Sequence, residues 1–371
     1  MVARIDPIEL EHLKSRTKLS EVFERYGVRS RDKGHIKWVV CCFHGEKTGS
    51  LKIDDKKGRY NCFGCGAGGD HYTVLQELGG KTFMEAVEAL GGVQLVTAEE
   101  RKVIEDRFTQ WEAEEAEEKK KARKSSERLF NSGVSLLGTH AEAYLAGRAL
   151  PVVKRWTFDL RFVPALEYRG YANDNAEETT VLGTYPAMIA AIRDKDMTLI
   201  GVHRTYLDPV EPKKLTPPGC QRRNKAKKVL GEQSGGMIWL TPVGERLATG
   251  EGIETTRSWY ALGYGDDDIA LAASVSLGNM AGSATGSQPH PKDPSKRVPN
   301  GIPDEDRPGV ILPLRVKEVI LLGDGDSDPY MTRARMMVAG RRFRNQGRTV
   351  FVSMAPDGKD FSNVLQEEQQ S

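Results

Sequence analysis

Residues 41–70 read CCFHGEKTGSLKIDDKKGRYNCFGCGAGGD, and they hold four of the five cysteines of the chain. The spacing is Cys41-x2-His44-x17-Cys62-x2-Cys65. Each short pair fits a tight turn that offers two ligands, and the hairpin length between them closes a tetrahedron, as in a zinc ribbon. Cys42 competes with Cys41 for the first position, and the C-x2-H spacing favours Cys41. A reducing cytosol would not keep these thiols as disulfides, and an odd count argues against a disulfide framework. So small a segment buries little core, so the ion supplies part of its folding energy. Strand-like patches lie at 35–40, 50–54 and 59–63. Helical spacing of Ile8, Leu10, Leu13, Leu19, Val22 and Phe23 precedes them. Two helices follow, the second opened by a Thr82/Glu85 capping box.

The rest of the 371 residues leaves room for further domains. With 39 % hydrophobic and 29 % charged residues, and no apolar run long enough to span a membrane, the composition suits a soluble cytoplasmic protein. The N-terminus has no apolar signal region. A net charge of +2 says nothing about a nucleic-acid partner. Residues 99–128 contain neither Gly nor Pro and pass from acidic to basic, which predicts a solvated helix. The expected division is 1–96, a helical linker 97–130, and a third region split into 131–242 and 243–371. Strand and helix patches alternate through that region, which predicts an α/β domain with a largely parallel sheet. Residues 281–310, rich in Pro, Gly and Ser, read as a long loop, either mobile or draped over the site.

Two strand ends carry acids. ATGEGIETT closes a strand on Glu251, and LLGDGDSD closes another on Asp324 and Asp326. Parallel strands place their C-termini along one edge, where α/β proteins build sites. Gathered carboxylates require a cation, and oxygen ligands suit Mg²⁺ or Mn²⁺. An EF-hand is excluded, because Pro329 and Arg335 stand where its Gly and Glu belong. Residues 213–228 carry seven basic and no acidic side chains, Lys225, Lys227 and Lys228 among them. Such an excess suits phosphate.

The 41–70 segment, within about residues 6–92, resembles the zinc-binding domain of bacterial and phage DNA primases, with Cys42 and Gly49 where that family has proline. The resemblance implies single-stranded DNA as template, with Lys47, Lys52, Lys56, Lys57 and Arg59 meeting phosphates beside Trp38, Tyr60 and Phe63. Glu251-Gly252 and Asp324-Gly325-Asp326 resemble the Toprim fold. PDGKDFSNVL (356–365) resembles the next primase segment, with Asp360 at its first acid and Ser362 at its second. Glu254 resembles an additional acid of that family, at an offset of three instead of four. AEAYLAGRAL, GVHRTYLD and KAKKVLGEQSGGMIWL resemble catalytic-core segments of phage- and mobile-element-type primases. Together these imply an α/β and α+β multidomain primase: zinc ribbon, linker helix and a core with a Toprim domain. It would make RNA primers from NTPs on single-stranded DNA. Divalent ions on Glu251, Asp324 and Asp326, assisted by Asp360 and by Glu254 or Asp328, would serve catalysis. Arg204, Lys227 and Lys228 would neutralise triphosphate or template. There is no Walker A motif, so any helicase would be a separate partner. The alternatives are a Toprim nuclease and a non-catalytic DNA-binding or recombination accessory protein.

Overall fold

Strict alternation builds the N-terminal ribbon. In the computed structural model, which describes residues 5–43, 49–62, 67–92, 96–176, 178–293 and 296–369, strands β1 (Ile36–Val39), β2 (Leu51–Asp54), β3 (Arg59–Cys62) and β4 (Gly68–Gly69) form an antiparallel sheet in that order. Register pairs Leu51 with Cys62 and Ile53 with Tyr60, so β2 and β3 share one apolar face. Helices α1 (Pro7–Ser15), α2 (Leu19–Glu24), α3 (His71–Glu77) and α4 (Phe83–Ala89) join that face in one core containing Leu13, Phe23, Val74 and Val87. The expected capping box opens α4, through Thr82 and Glu85. At Gly49 an added Cβ would lie 2.8 Å from the Val39 carbonyl oxygen, so a proline has no room there.

Helix α5 (Ala98–Ser132) covers the segment expected to be helical. The chain divides within it into two compact units, Met1–Lys120 and Lys121–Ser371. The segments expected as 131–242 and 243–371 therefore share one unit.

That second unit holds two main sheets. After α6 (His140–Ala146) come β5 (Leu160–Gly170), β6 (Thr180–Arg193), β7 (Leu199–Tyr206) and β8 (Lys227–Gly231), a purely antiparallel sheet in chain order. This corrects the expectation of a largely parallel region: antiparallel neighbours need no crossover helix. The second sheet contains β9 (Ile238–Trp239), β10 (Arg246–Gly250), β11 (Ile269–Ala273), β14 (Glu318–Gly323) and β15 (Thr349–Met354), in the order β15-β14-β10-β11-β9. All are parallel except β9. Its helices are α7 (Ile253–Ala261), α8 (Leu277–Ala281), α9 (Pro329–Asn345) and α10 (Phe361–Glu368). Alternation along β6 splits its side chains between two cores. Met188, Ala190 and Ile192 join Ala248, Leu271 and Trp259 of the mixed-sheet layer. Ala187, Ile189 and Ala191 join Phe130, Tyr168 and Tyr206 on the opposite face.

The segment 281–310 is pinned. It carries a small hairpin, β12 (Ser287–Pro289) with β13 (Arg297–Pro299). Three arginines of α9 hold its backbone: Arg335 donates to the Gly282 carbonyl, Arg341 to Gly301, and Arg342 to Ala281, Ser283 and Asp304. Buried His290 accepts backbone N–H groups of Lys292 and Asp293 at Nδ1, which leaves Nε2–H to donate to Asp328 at 3.0 Å.

Candidate active site, an acidic cleft

Three adjacent parallel strands deliver acids to one sheet edge. Glu251 follows β10, Asp324 and Asp326 follow β14, and Asp360 sits in the connection after β15, at the N-cap of α10. Gly325 makes this close approach feasible: its N–H donates to the Lys359 carbonyl and its own carbonyl accepts from Gly358. An added Cβ there would run into the Pro356 and Ala355 carbonyls. Glu251, Asp324, Asp326 and Asp360 line one cleft with Arg148, His203, Lys214, Lys227 and Glu254.

The carboxylates repel one another. Burial, then Glu251, Asp360 and Asp326, push the Asp324 carboxyl up to about 7, against a 3.1 Å hydrogen bond from Thr255. Its Oδ1 is buried with no hydrogen-bond partner among the described residues. Glu251 is exposed as a residue and lines the cleft. Desolvation there raises its pKa, Lys227 opposes the rise and Asp326 adds to it. Among the described residues no three His, Cys, Asp or Glu side chains stand close enough to hold a metal as they are. Like charges on neighbouring strand ends are relieved by a shared proton or by a cation.

Glu254 lines the same cleft and is paired at both oxygens. One oxygen accepts the Tyr144 hydroxyl at 2.7 Å and faces Lys214 at 3.4 Å; the other faces Lys227 at 3.2 Å. Burial works against its charge, but Lys227, Lys214 and Tyr144 outweigh it and hold the carboxyl well below the usual range. It enters the cleft as the counter-charge of two lysines. Asp328 is committed elsewhere too: it caps α9 through Tyr330 and Met331 N–H and accepts from His290. Ser362 lies 3.3 Å from the Arg148 guanidinium. Sequence reading singled out neither Arg148 nor His203, and held Lys214 only as one of the basic residues of 213–228. His203 is pushed down to about 3 by burial and then by Lys227, so it stays neutral.

The basic residues expected to act together part company. Thr205 pairs with Lys227 and Arg204 with Lys228 across β7 and β8. Successive residues point to opposite faces. Lys227 faces the cleft with His203, and Arg204 and Lys228 face away from it. Lys225 is exposed before β8.

In the N-terminal unit, Cys41 and Cys62 are buried in one core, and Cys42 is only partly buried against it. The Cys41 sulfur accepts the Phe43 N–H, and Ser50 Oγ lies 3.1 Å from the Cys62 sulfur. The Phe43 N–H aimed at the Cys41 sulfur suits a thiolate ligand. His44, Cys65, Lys47 and Phe63 lie outside the described residues. Tyr60 packs edge-on to Phe23 at 5.1 Å and stacks on Phe43 at 5.4 Å. It is a core residue. Arg59 is exposed, and Trp38 is half-buried on the opposite face of the sheet from Tyr60.

Residues 5–105 match the CHC2 zinc finger family. The match implies zinc in this unit, and the two buried cysteines fit it. Residues 120–240 match a domain of unknown function (DUF7146). The DNA primase of Halalkalibacterium halodurans is 38% identical over 101 residues, 27% of this chain and 17% of that protein. The DNA primase of Lactococcus lactis subsp. lactis is 37% identical over 101 residues, 26% of this chain and 16% of that protein. The chain thus spans about a sixth of the length of these relatives. The structure of the Aquifex aeolicus primase zinc-binding and RNA polymerase domains is 15% identical. It covers 97% of this chain and 82% of that one, with a TM-score of 0.34, too low to establish a shared fold. The comparisons do not assign a phage or mobile-element subtype. Among the described residues no helix is long and apolar enough to cross a membrane.

Proposed function

We propose that the chain is a DNA primase that joins NTPs into short RNA primers on a single-stranded DNA template. The observation that carries this reading is the cleft itself. Acids from three neighbouring strand ends, one with a buried unpartnered oxygen, face a wall of Arg148, Lys214 and Lys227. The match of residues 5–105 to a CHC2 zinc finger supports it.

Glu251, Asp324 and Asp326, with Asp360, would hold divalent cations. When bound, such ions supply Lewis-acid stabilisation of the attacking and leaving oxygens of an in-line displacement. Thr255 orients Asp324 by its 3.1 Å hydrogen bond. Lys227, Lys214 and Arg148 carry three positive charges against the one carboxylate of Glu254, so this wall keeps an excess for the triphosphate of an incoming nucleotide. The zinc finger would grip the template, and a separate helicase would supply it.

The test incubates the full chain with single-stranded DNA, labelled NTPs and Mg²⁺ or Mn²⁺. Short RNA is expected from the wild type. Asp326→Ala should lower synthesis by roughly three decades or more, with zinc content and DNA binding near normal. Asp328→Ala should cost far less, because its carboxylate serves the helix cap and His290. Wild-type priming by the Asp326 variant would overturn the assignment, and cut DNA in place of RNA would make the protein a nuclease.

A further inference from the structure

Four adjacent parallel strands end on the edge that carries the cleft. Three of them, β15, β14 and β10, lead into acids; the fourth, β11, leads into Ser274 and Val275. Gly250 pairs with Ala273, so Val275 lies one strand over from Glu251, and both line the cleft. Val275 has a φ of 69°, left-handed backbone that disfavours a β-branched side chain. Among the described residues, Ala149 and Met197 are the other non-glycine residues of positive φ, and neither is β-branched. Ala149 follows the end of α6, with the Leu150 N–H on the Leu145 carbonyl, and Met197 sits in a turn closed on the Asp194 carbonyl.

The strain is held from both sides. The Ser274 N–H donates to the Gly250 carbonyl at 2.9 Å, and its hydroxyl shares a buried 2.8 Å hydrogen bond with Thr249. Asn279 ties the frame together. Its Nδ2 donates to the Ser274 and Gly236 carbonyls, its N–H donates to Ser276 Oγ, and its Oδ1 accepts the Gly235 N–H. Both neighbours of Val275 are thereby fixed, and strained residues over-determined in this way cluster at ligand sites. Glycine would follow the same path without strain; valine adds methyl groups. Most of the cleft lining is charged or polar, and its apolar side chains are Ile238, Ile253, Ala273 and half-buried Val275. Cations and phosphates gain nothing from such atoms, whereas a nucleoside has C–H and ring faces to bury on them.

We propose that Val275 is a substrate-contacting residue, held in strained backbone so that its methyl groups meet the nucleoside of a nucleotide whose phosphates face the carboxylates and lysines. This rests on the reading of the cleft as a nucleotide-joining site, and it names the part of the substrate that the charged groups do not touch.

Calorimetric titration of the full chain in Mg²⁺, with ATP and separately with inorganic tripolyphosphate, divides the nucleoside from the phosphate chain. Val275→Gly should weaken ATP binding roughly tenfold and leave tripolyphosphate binding unchanged. Its melting temperature should stay close to that of the wild type, because release of strain offsets the lost packing. Val275→Thr, which keeps the branched shape, should retain most of the ATP affinity. Unchanged ATP affinity in Val275→Gly overturns the proposal. So does an equal weakening of ATP and tripolyphosphate, which would make Val275 a support for the shape of the cleft, and so does a wild type that takes up no ATP. Priming is scored separately. A wild type that makes no RNA, while Val275→Gly selectively loses ATP, keeps the contact and loses the primase reading; a wild type that primes, with ATP binding intact in Val275→Gly, loses only the contact.

Discussion

Glu254→Gln removes one negative charge from the centre of a cluster and leaves its shape in place. The side chain is 8% exposed, while Lys227 and Lys214 are 39% and 36% exposed. Removing one partner of a fully buried ion pair costs about 3–5 kcal/mol, because the other charge is stranded. Here both lysines keep more than a third of their surface and can turn to water, which reduces the loss to about 1–3 kcal/mol. In a unit of this size each kcal/mol moves the midpoint by about 2–4 °C, so the drop is on the order of 3–10 °C. The assay is thermal melting of the full chain with no added divalent cation. Adding Lys227→Met to Glu254→Gln should recover part of the loss, since it removes a charge the glutamine no longer balances. Unchanged melting together with a raised Mg²⁺ requirement in priming would refute this reasoning and make Glu254 a metal ligand after all.

Elemental analysis should find about one zinc per chain; Cys62→Ser should lose it and open residues 35–75 to proteolysis, and Cys42→Ser should keep it. Zinc kept by Cys41→Ser and lost by Cys42→Ser would move the ligand register by one. Asp159 should make the second unit less stable as pH rises. Its burial outweighs the 2.7 Å bond from Arg193 and pushes the carboxyl up from 3.8 to about 6. Between those values the folded state binds the extra proton, so stability is highest below the unfolded pKa and falls as pH rises through the folded one. Asp159→Asn should flatten that decline by at most about 3 kcal/mol between pH 4 and 7, read from urea midpoints. A wild-type advantage over Asp159→Asn that grows with pH would mean the Arg193 pair dominates.

Short-range pattern made the ribbon and the strand-end acids legible. Leu51, Ile53, Tyr60 and Cys62 alternate cleanly, and Glu251 and the Asp324–Asp326 pair sit where an apolar run gives way to a turn and then a helix. The antiparallel sheet was harder to read. Strand β5 contains Pro164 and breaks register after Val163 and Glu167, so alternation fails along it. Strand β8 begins in a basic run that reads as a loop. The division of Lys227 from Lys228 depends on which strand faces which core, and no local window holds that information. Arg148 and Lys214 reach the cleft from segments far away in sequence. The Pro- and Gly-rich composition of 281–310 reads as a long loop and gives no sign of the β12–β13 hairpin, and the side chains that anchor it belong to α9.

Those anchors have an evolutionary consequence. Arg335, Arg341 and Arg342 grip the segment by its main-chain carbonyls, a group that every residue type supplies. A path fixed in this way is nearly indifferent to its own lettering. Apart from positions such as buried His290 and Val298, the described residues between Ser283 and Asp304 that offer these arginines only their carbonyls can change while the backbone still follows the same course. The record of that course would be kept in three arginines on a different element, and a comparison confined to the segment itself would miss it.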